Sequence, residues 1–192
     1  MYLKSYFEVY ELSLMLLFAL ASAMLNTYLP IKAFTQWLGV PGPAAGMAFL
    51  GGFIFVFWVA LAHVIIKKRY AGIVTALLIA SFCIIITPWY GIVSPIWFGG
   101  YAIAALVSMG IIVELTASAS KSKTKSRVKV VTVTGGGLGN VACLGITWIA
   151  IGVHAGVWVP SKWAPILILG AFVSGCVGSL MAYFLSLLVR GE

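Results

Sequence analysis

The 192-residue chain has no aspartate, and its four acids are all glutamates: Glu8, Glu11, Glu114 and Glu192. Only 8% of its residues are charged, against about 25% in an average soluble domain. That shortage excludes a water-soluble globule, whose surface needs polar cover. It also removes most catalytic options, because acid–base and metal chemistry call for paired carboxylates, ligand clusters or a nucleophile beside its base. Here one glutamate lies within the apolar body of the chain, and the two histidines, His63 and His154, fall in separate segments. Neither a catalytic residue, a metal site nor a cofactor is expected, and the chain does not read as an enzyme. Cys83, Cys143 and Cys176 all fall inside apolar runs without ligand-like or paired spacing, as small buried hydrophobes do. A G-x-x-x-x-G-K-[ST] phosphate loop is also missing.

Apolar residues make up 62% of the chain and the mean hydropathy is +1.12, so lipid is its natural solvent. Six runs are long enough to be read as spans: Leu12–Leu29, Pro43–Ile66, Ala71–Thr87, Pro95–Leu115, Val130–Val157 and Ala164–Val189. The expected fold is therefore an all-α integral membrane protein, a six-transmembrane-helix bundle forming one domain over residues 1–192. The third run is short, and the fifth is long enough to tilt. Leu12 to Leu20 followed by Ala21-Ser22-Ala23 imitates a signal peptide and its cleavage site. Lys4 set against Glu8 and Glu11 makes a poor positive n-region, so the segment is read as a retained first span.

The net charge of +8 suggests nucleic acid only until the charges are located. Lys67, Lys68 and Arg69 fill one connection, and Lys121, Lys123, Lys125, Arg127 and Lys129 fill another. With both termini in the cytoplasm, these join Lys4 and Arg190 to place ten basic residues inside, leaving only Lys32 and Lys162 outside. That N-in/C-in arrangement follows the positive-inside rule. The charge is absorbed by topology: anionic lipid is one candidate for the second loop, but retention on the cytoplasmic side explains it adequately, and no nucleic acid is expected.

Tryptophan has the opposite bias. Trp37, Trp89, Trp97, Trp158 and Trp163 lie in or beside the three external connections, and Trp148 lies in the outer half of the fifth span. Interfacial belts place aromatics at both faces, yet here the inner face receives tyrosines. With Tyr90, these rings form a candidate pocket for a flat small molecule, neutral or cationic, to which stacking and cation–π contacts contribute about 0.5–2 kcal/mol each. For each ring taken singly, headgroup anchoring explains its place as well. His154, near the outer end of the fifth span, is a candidate hydrogen-bonding contact, with a solvated interfacial histidine as the alternative.

Asn140 is an amide deep in the fifth span, where it either floors a binding site or bonds across helices. Glu114 ends the fourth span, placed to snorkel or to pair with Lys67 or Lys121. Gly135-Gly136-Gly137-Leu138-Gly139 imitates a dinucleotide loop, but no acid follows before Glu192, so the glycines are read as close helix contacts or a helix break. Ala19 and Ala23, and the row Gly170, Ser174 and Gly178, are small-residue ridges of the kind that let helices approach closely.

Taken together, the pattern resembles the substrate-binding S components of energy-coupling factor (ECF) vitamin transporters. Ala19-Leu20-Ala21-Ser22-Ala23 matches the A-x-x-x-A of their first span. Gly39-Val40-Pro41-Gly42-Pro43, Ile65-Ile66-Lys67-Lys68, Pro88-Trp89-Tyr90-Gly91 and Glu114-Leu115 resemble the thiamine/hydroxymethylpyrimidine type. The run Gly110-Ile111-Ile112-Val113 departs from the Gly-Ala-Glu-Leu-like pattern of that type. The resemblance implies a subunit of the cell (cytoplasmic) membrane that takes a vitamin or its precursor from outside. Trp37, Trp89, Trp97 and Trp158 would stack on it, Tyr90, Asn140 and His154 would bond to it, and Trp148 would belong to the same substrate-binding set. It further implies docking through Ala19 and Ala23 to a transmembrane coupling subunit, with two cytoplasmic ATPase subunits supplying energy. A stand-alone secondary carrier or channel is the alternative, although carriers generally bury ionisable groups at mid-depth and this chain offers only Asn140 there.

Overall fold

The computed structural model describes residues 6–37, 43–86, 95–119 and 125–190, and every regular element among them is helical. The elements are α1 (Val9–Tyr28), α2 (Ile31–Trp37), α3 (Pro43–Gly51), a π-helical turn (Gly52–Val56), α4 (Phe57–Ile66), α5 (Ala71–Ile85), α6 (Pro95–Ala119), α7 (Lys125–Ala155) and α8 (Ala164–Arg190). Five helical stretches are long and apolar enough to cross a membrane: Val9–Tyr28, Ala45–Ile66, Gly100–Ser118, Arg127–His154 and Ala164–Val189. A shorter apolar helix, α5, has 15 residues, about 22 Å of helix against a hydrocarbon core of about 30 Å.

Helix ends follow local chemistry. α1 starts three residues before the expected boundary because Glu8 and Glu11 form a reciprocal capping box: the Glu8 carboxylate accepts from the N3 backbone and the Glu11 carboxylate from the Glu8 backbone. Pro30 follows the C-cap Leu29, whose N–H reaches back to the Leu25 carbonyl, and α2 then turns away within the first connection. α4 and α5 are joined by a tight turn in which Lys67 and Tyr70 both take left-handed backbone, with φ of 56° and 71°. α7 runs unbroken for 31 residues, so its glycine run is a packing surface and not a break.

The second span, α3 through α4, is the hub. It touches α1, α5, α7 and α8, and 56% of its apolar window is buried, against 33% for α1. Around it the others run in the order α1, α5, α6, α7, α8. The core gathers on the hub, with Met47, Ile54, Phe55, Val56 and Val59 packed among Ile79, Leu106, Met109, Leu144 and Leu167. Lipid lacks the hydrophobic drive that holds soluble helices together, so small residues and polar side chains hold this bundle. At the π turn the backbones of Gly52 and Gly178 meet, and a Cβ added to either would overlap the facing main chain. The Gly52 N–H donates to Ser174 Oγ at 3.0 Å, and Ser22 Oγ donates to the Ile54 carbonyl at 2.6 Å. Helices on both sides thus supply the polar partners that a register change in a buried helix needs. The row Gly170, Ser174 and Gly178 is this internal seam. The α7 glycines do the same work nearby, where a Cβ on Gly136 would lie 2.8 Å from the Gly175 carbonyl.

Candidate functional site

One end of the bundle collects aromatic rings. α7 closes at Gly156, whose φ of 64° places it in the left-handed region favoured by glycine at a helix C-terminus. Its N–H returns to the Gly152 carbonyl at 3.1 Å. The chain is thereby turned back, and the six-membered edge of Trp158 lies over Gly152, where a Cβ would stand 2.6 Å from the ring. Trp158 nevertheless remains 62% exposed. His154, exposed on the last turn of α7, meets Tyr101 of α6 edge to face, with centroids 5.1 Å apart. One turn below Gly152, the half-buried Trp148 packs against the core, as do Trp163 and Val159 of the following connection. The Trp148 Nε1–H is buried with no hydrogen-bond partner among the described residues, although a buried indole donor normally finds one. Trp37 ends α2 with 81% of its surface exposed.

Of the candidate residues, then, His154 pairs with Tyr101, Trp158 lies over Gly152, and Trp148 packs against the core one turn below, all at the same end of α7. Aromatic enrichment was the available signal for Tyr101, but its pairing with a residue 53 positions away was not. Trp89 and Tyr90 lie outside the described residues, as does the side chain of Trp97.

Asn140 goes elsewhere. It is fully buried, and its Nδ2 donates to the Ala171 carbonyl of α8 at 2.9 Å and to the Met47 carbonyl of α3 at 3.4 Å. His154 lies fourteen residues farther along the same continuous helix, about 21 Å at 1.5 Å per residue. One small heterocycle does not reach both, so Asn140 joins three helices where a ligand contact had been expected. Ala19 and Ala23 also differ from expectation. Both are fully buried in the main core, on the face of α1 that carries Ser22 and Asn26. The pair packs α1 onto its own bundle, and the exposed side of α1 carries Leu16, Leu17, Leu20 and Met24 instead.

No protein-family model matches the chain, and no curated protein sequence does. A crystal structure of an S component of an ECF transporter does match, with a TM-score of 0.65 over 96% of this chain and 84% of that one, at 21% sequence identity. The two chains share a fold. The helical architecture and several apolar helices make this a multi-pass membrane protein.

The opposite end of the bundle is organised by charge. Glu114 of α6 is buried, and its Oε1 accepts the Gly72 N–H of α5 at 2.9 Å while lying 3.3 Å from His63 Nδ1 of α4. The carboxylate thus sits at the N-terminus of α5, where the helix dipole favours it, and ties three helices together. Lys67, the partner considered for it, is exposed, and Lys121 lies outside the described residues. On the neighbouring turn, Lys68 Nζ lies 2.7 Å from Glu11 Oε2 and 4.0 Å from Glu8 Oε1, and it also donates to the Tyr6 carbonyl at 3.3 Å. The bond to Glu11 holds the Lys68 ammonium above its ordinary pKa.

Proposed function

We propose that this chain is the substrate-capturing membrane subunit of an ATP-driven ECF-type importer, and that it binds thiamine or its hydroxymethylpyrimidine moiety. The fold likeness to an S component over nearly the whole chain is the observation that carries this reading. In it the chain crosses the bilayer six times with both ends in the cytoplasm, as the ten-to-two distribution of basic residues favours, and it resides in the cell membrane. Substrate arrives at the aromatic end. Trp158 and Trp148 offer ring faces, with Trp37 at the end of α2, Trp89, and Trp97 at the start of α6 as further stacking partners. His154, Tyr90 and the unpaired Trp148 Nε1–H offer polar contacts. Rings left exposed on a small-molecule scaffold suit a flat, electron-poor heterocycle, since aromatic faces attract cations and ring edges. Energy comes from elsewhere, through a transmembrane coupling subunit and two cytoplasmic ATPase subunits.

The test is a titration of purified protein with thiamine and with hydroxymethylpyrimidine, followed by tryptophan fluorescence. Saturable quenching by one of them is expected. No response to either overturns the ligand assignment. Uptake by this chain alone in vesicles, without ATP or other subunits, overturns the subunit reading in favour of a carrier.

A further inference from the structure

Granted the ligand class proposed above, on which this rests, we propose that the aromatic end takes an uncharged, acceptor-bearing heterocycle and discriminates against a permanent cation. Of the two candidate ligands it then selects hydroxymethylpyrimidine. Every acid of the chain lies away from that end. Lys68 holds Glu8 and Glu11, and the Gly72 N–H, on the next turn of chain, holds Glu114. Helices α6 and α7 run antiparallel, with Gly135 facing Thr116 and Gly139 facing Met109, which sets Glu114 level with the glycine run of α7. His154 stands fifteen residues beyond Gly139 on the same continuous helix, about 22 Å at 1.5 Å per residue. The fourth acid, Glu192, lies outside the described residues, beyond the far end of α8, a helix of 27 residues that starts at the aromatic end. The connections at the aromatic end contain no aspartate or glutamate at all.

What this end does offer is donors and positive charge. The Trp148 Nε1–H is buried without a partner among the described residues. Lys162 is exposed in the turn that the Trp163 N–H closes onto the Pro160 carbonyl at 2.9 Å, and its ammonium can only donate. Nor do the described rings close a cage around a cation. Tyr101 meets His154 edge to face, Trp158 lays a ring edge over Gly152, and Trp148 packs against the core. A cation leaving water here gives up hydration, meets Lys162 and finds no carboxylate to compensate. Contact with ring faces returns only part of that loss. A neutral pyrimidine gives up far less, and its ring nitrogens accept from the donors that the protein leaves over.

The experiment titrates purified full-length protein at pH 8, followed by tryptophan fluorescence, with hydroxymethylpyrimidine, with thiamine, and with the thiamine isostere in which an uncharged thiophene replaces the thiazolium. Hydroxymethylpyrimidine and the isostere should quench saturably, with thiamine weaker than its isostere by about tenfold or more. Lys162→Glu places a carboxylate beside the rings and should narrow that gap by about two- to fivefold, the span of exposed ion pairs. Thiamine binding as tightly as its isostere overturns the inference, as does a gap that Lys162→Glu leaves unchanged or widens. Either outcome leaves the ligand assignment of the importer intact, because a molecule of that class still binds. No response to any of the three overturns that assignment, and the charge selectivity falls with it.

Discussion

The seam between the second span and α8 and the rim at the end of α7 use glycine in opposite ways. In the seam, Gly52 and Gly178 remove side chains so that two backbones touch, with Ser174 of α8 accepting the Gly52 N–H and Ser22 of α1 bonding the π turn from its other side. At the rim, Gly152 removes a side chain to make room for the indole of Trp158, which stays largely exposed, and Gly156 supplies the left-handed turn that brings the chain back. One region gives up side chains for cohesion, and the other gives them up to display a ring. Substitutions in the first should therefore break the fold, whereas those in the second should spare the fold and alter binding.

The largest effect is expected at the seam. Gly178→Leu drives a branched side chain into the Gly52 backbone and should leave no monodisperse protein in detergent, since overpacking that cannot be relieved by rotamers costs more than about 3 kcal/mol. Size-exclusion chromatography checks it, and a well-folded variant would mean that the seam is looser than described. Asn140→Ala comes next. Losing the bonds to α3 and α8 should cost about 1–2 kcal/mol and lower Tm by about 2–8 °C. If binding is then measured on the folded fraction, affinity should hold; a tenfold loss would return Asn140 to the ligand.

At the rim the signs reverse. Trp158→Ala should weaken ligand binding about tenfold, equivalent to about 1.4 kcal/mol, with a Tm near that of the wild type. Gly152→Val leaves the tryptophan in the sequence but displaces its ring. It should mimic Trp158→Ala in titrations, and normal affinity would show that the position of Trp158 over Gly152 is irrelevant to binding. The smallest effect is expected at the charged end. Lys68→Met removes a partly exposed ion pair at the surface and should lower Tm by about 3 °C or less. Because its partner raises the Lys68 pKa, the pair's contribution is complete below the ordinary lysine value and fades only as pH rises through the elevated one. Thermal unfolding from pH 6 to 9 should therefore show no loss traceable to Lys68.

Much of the architecture was legible because a bilayer imposes length. The apolar runs mark the helices to within a few residues. α1 begins earlier than expected, since a capping box of two glutamates reads as polar flank in a hydropathy profile. The facing of helices was less legible. In α1, apolar residues occupy every side, so Ala19 and Ala23 looked equally suited to a partner or to the core, and only their contacts turn them inward. The α7 glycines could be read because nothing downstream supported a nucleotide loop. The Glu114–His63 pair could not, since its members are 51 positions apart and nearer lysines were available. In the candidate site, the bias of tryptophan toward one set of connections marked the end of the molecule where Trp148, Trp158 and Trp163 lie. It could not tell that Asn140, on the same helix, lies about 21 Å below His154.

The backbone contact at Gly52 and Gly178 has a mechanical consequence. Side-chain interfaces can slide by exchanging rotamers, but this one has no rotamers to exchange. The second span and α8 therefore behave as a single stiff lever, pinned near its middle. Whatever motion the bundle undergoes has to be carried by parts that the pin does not hold, such as the short α2 and the turned-back segment after Gly156.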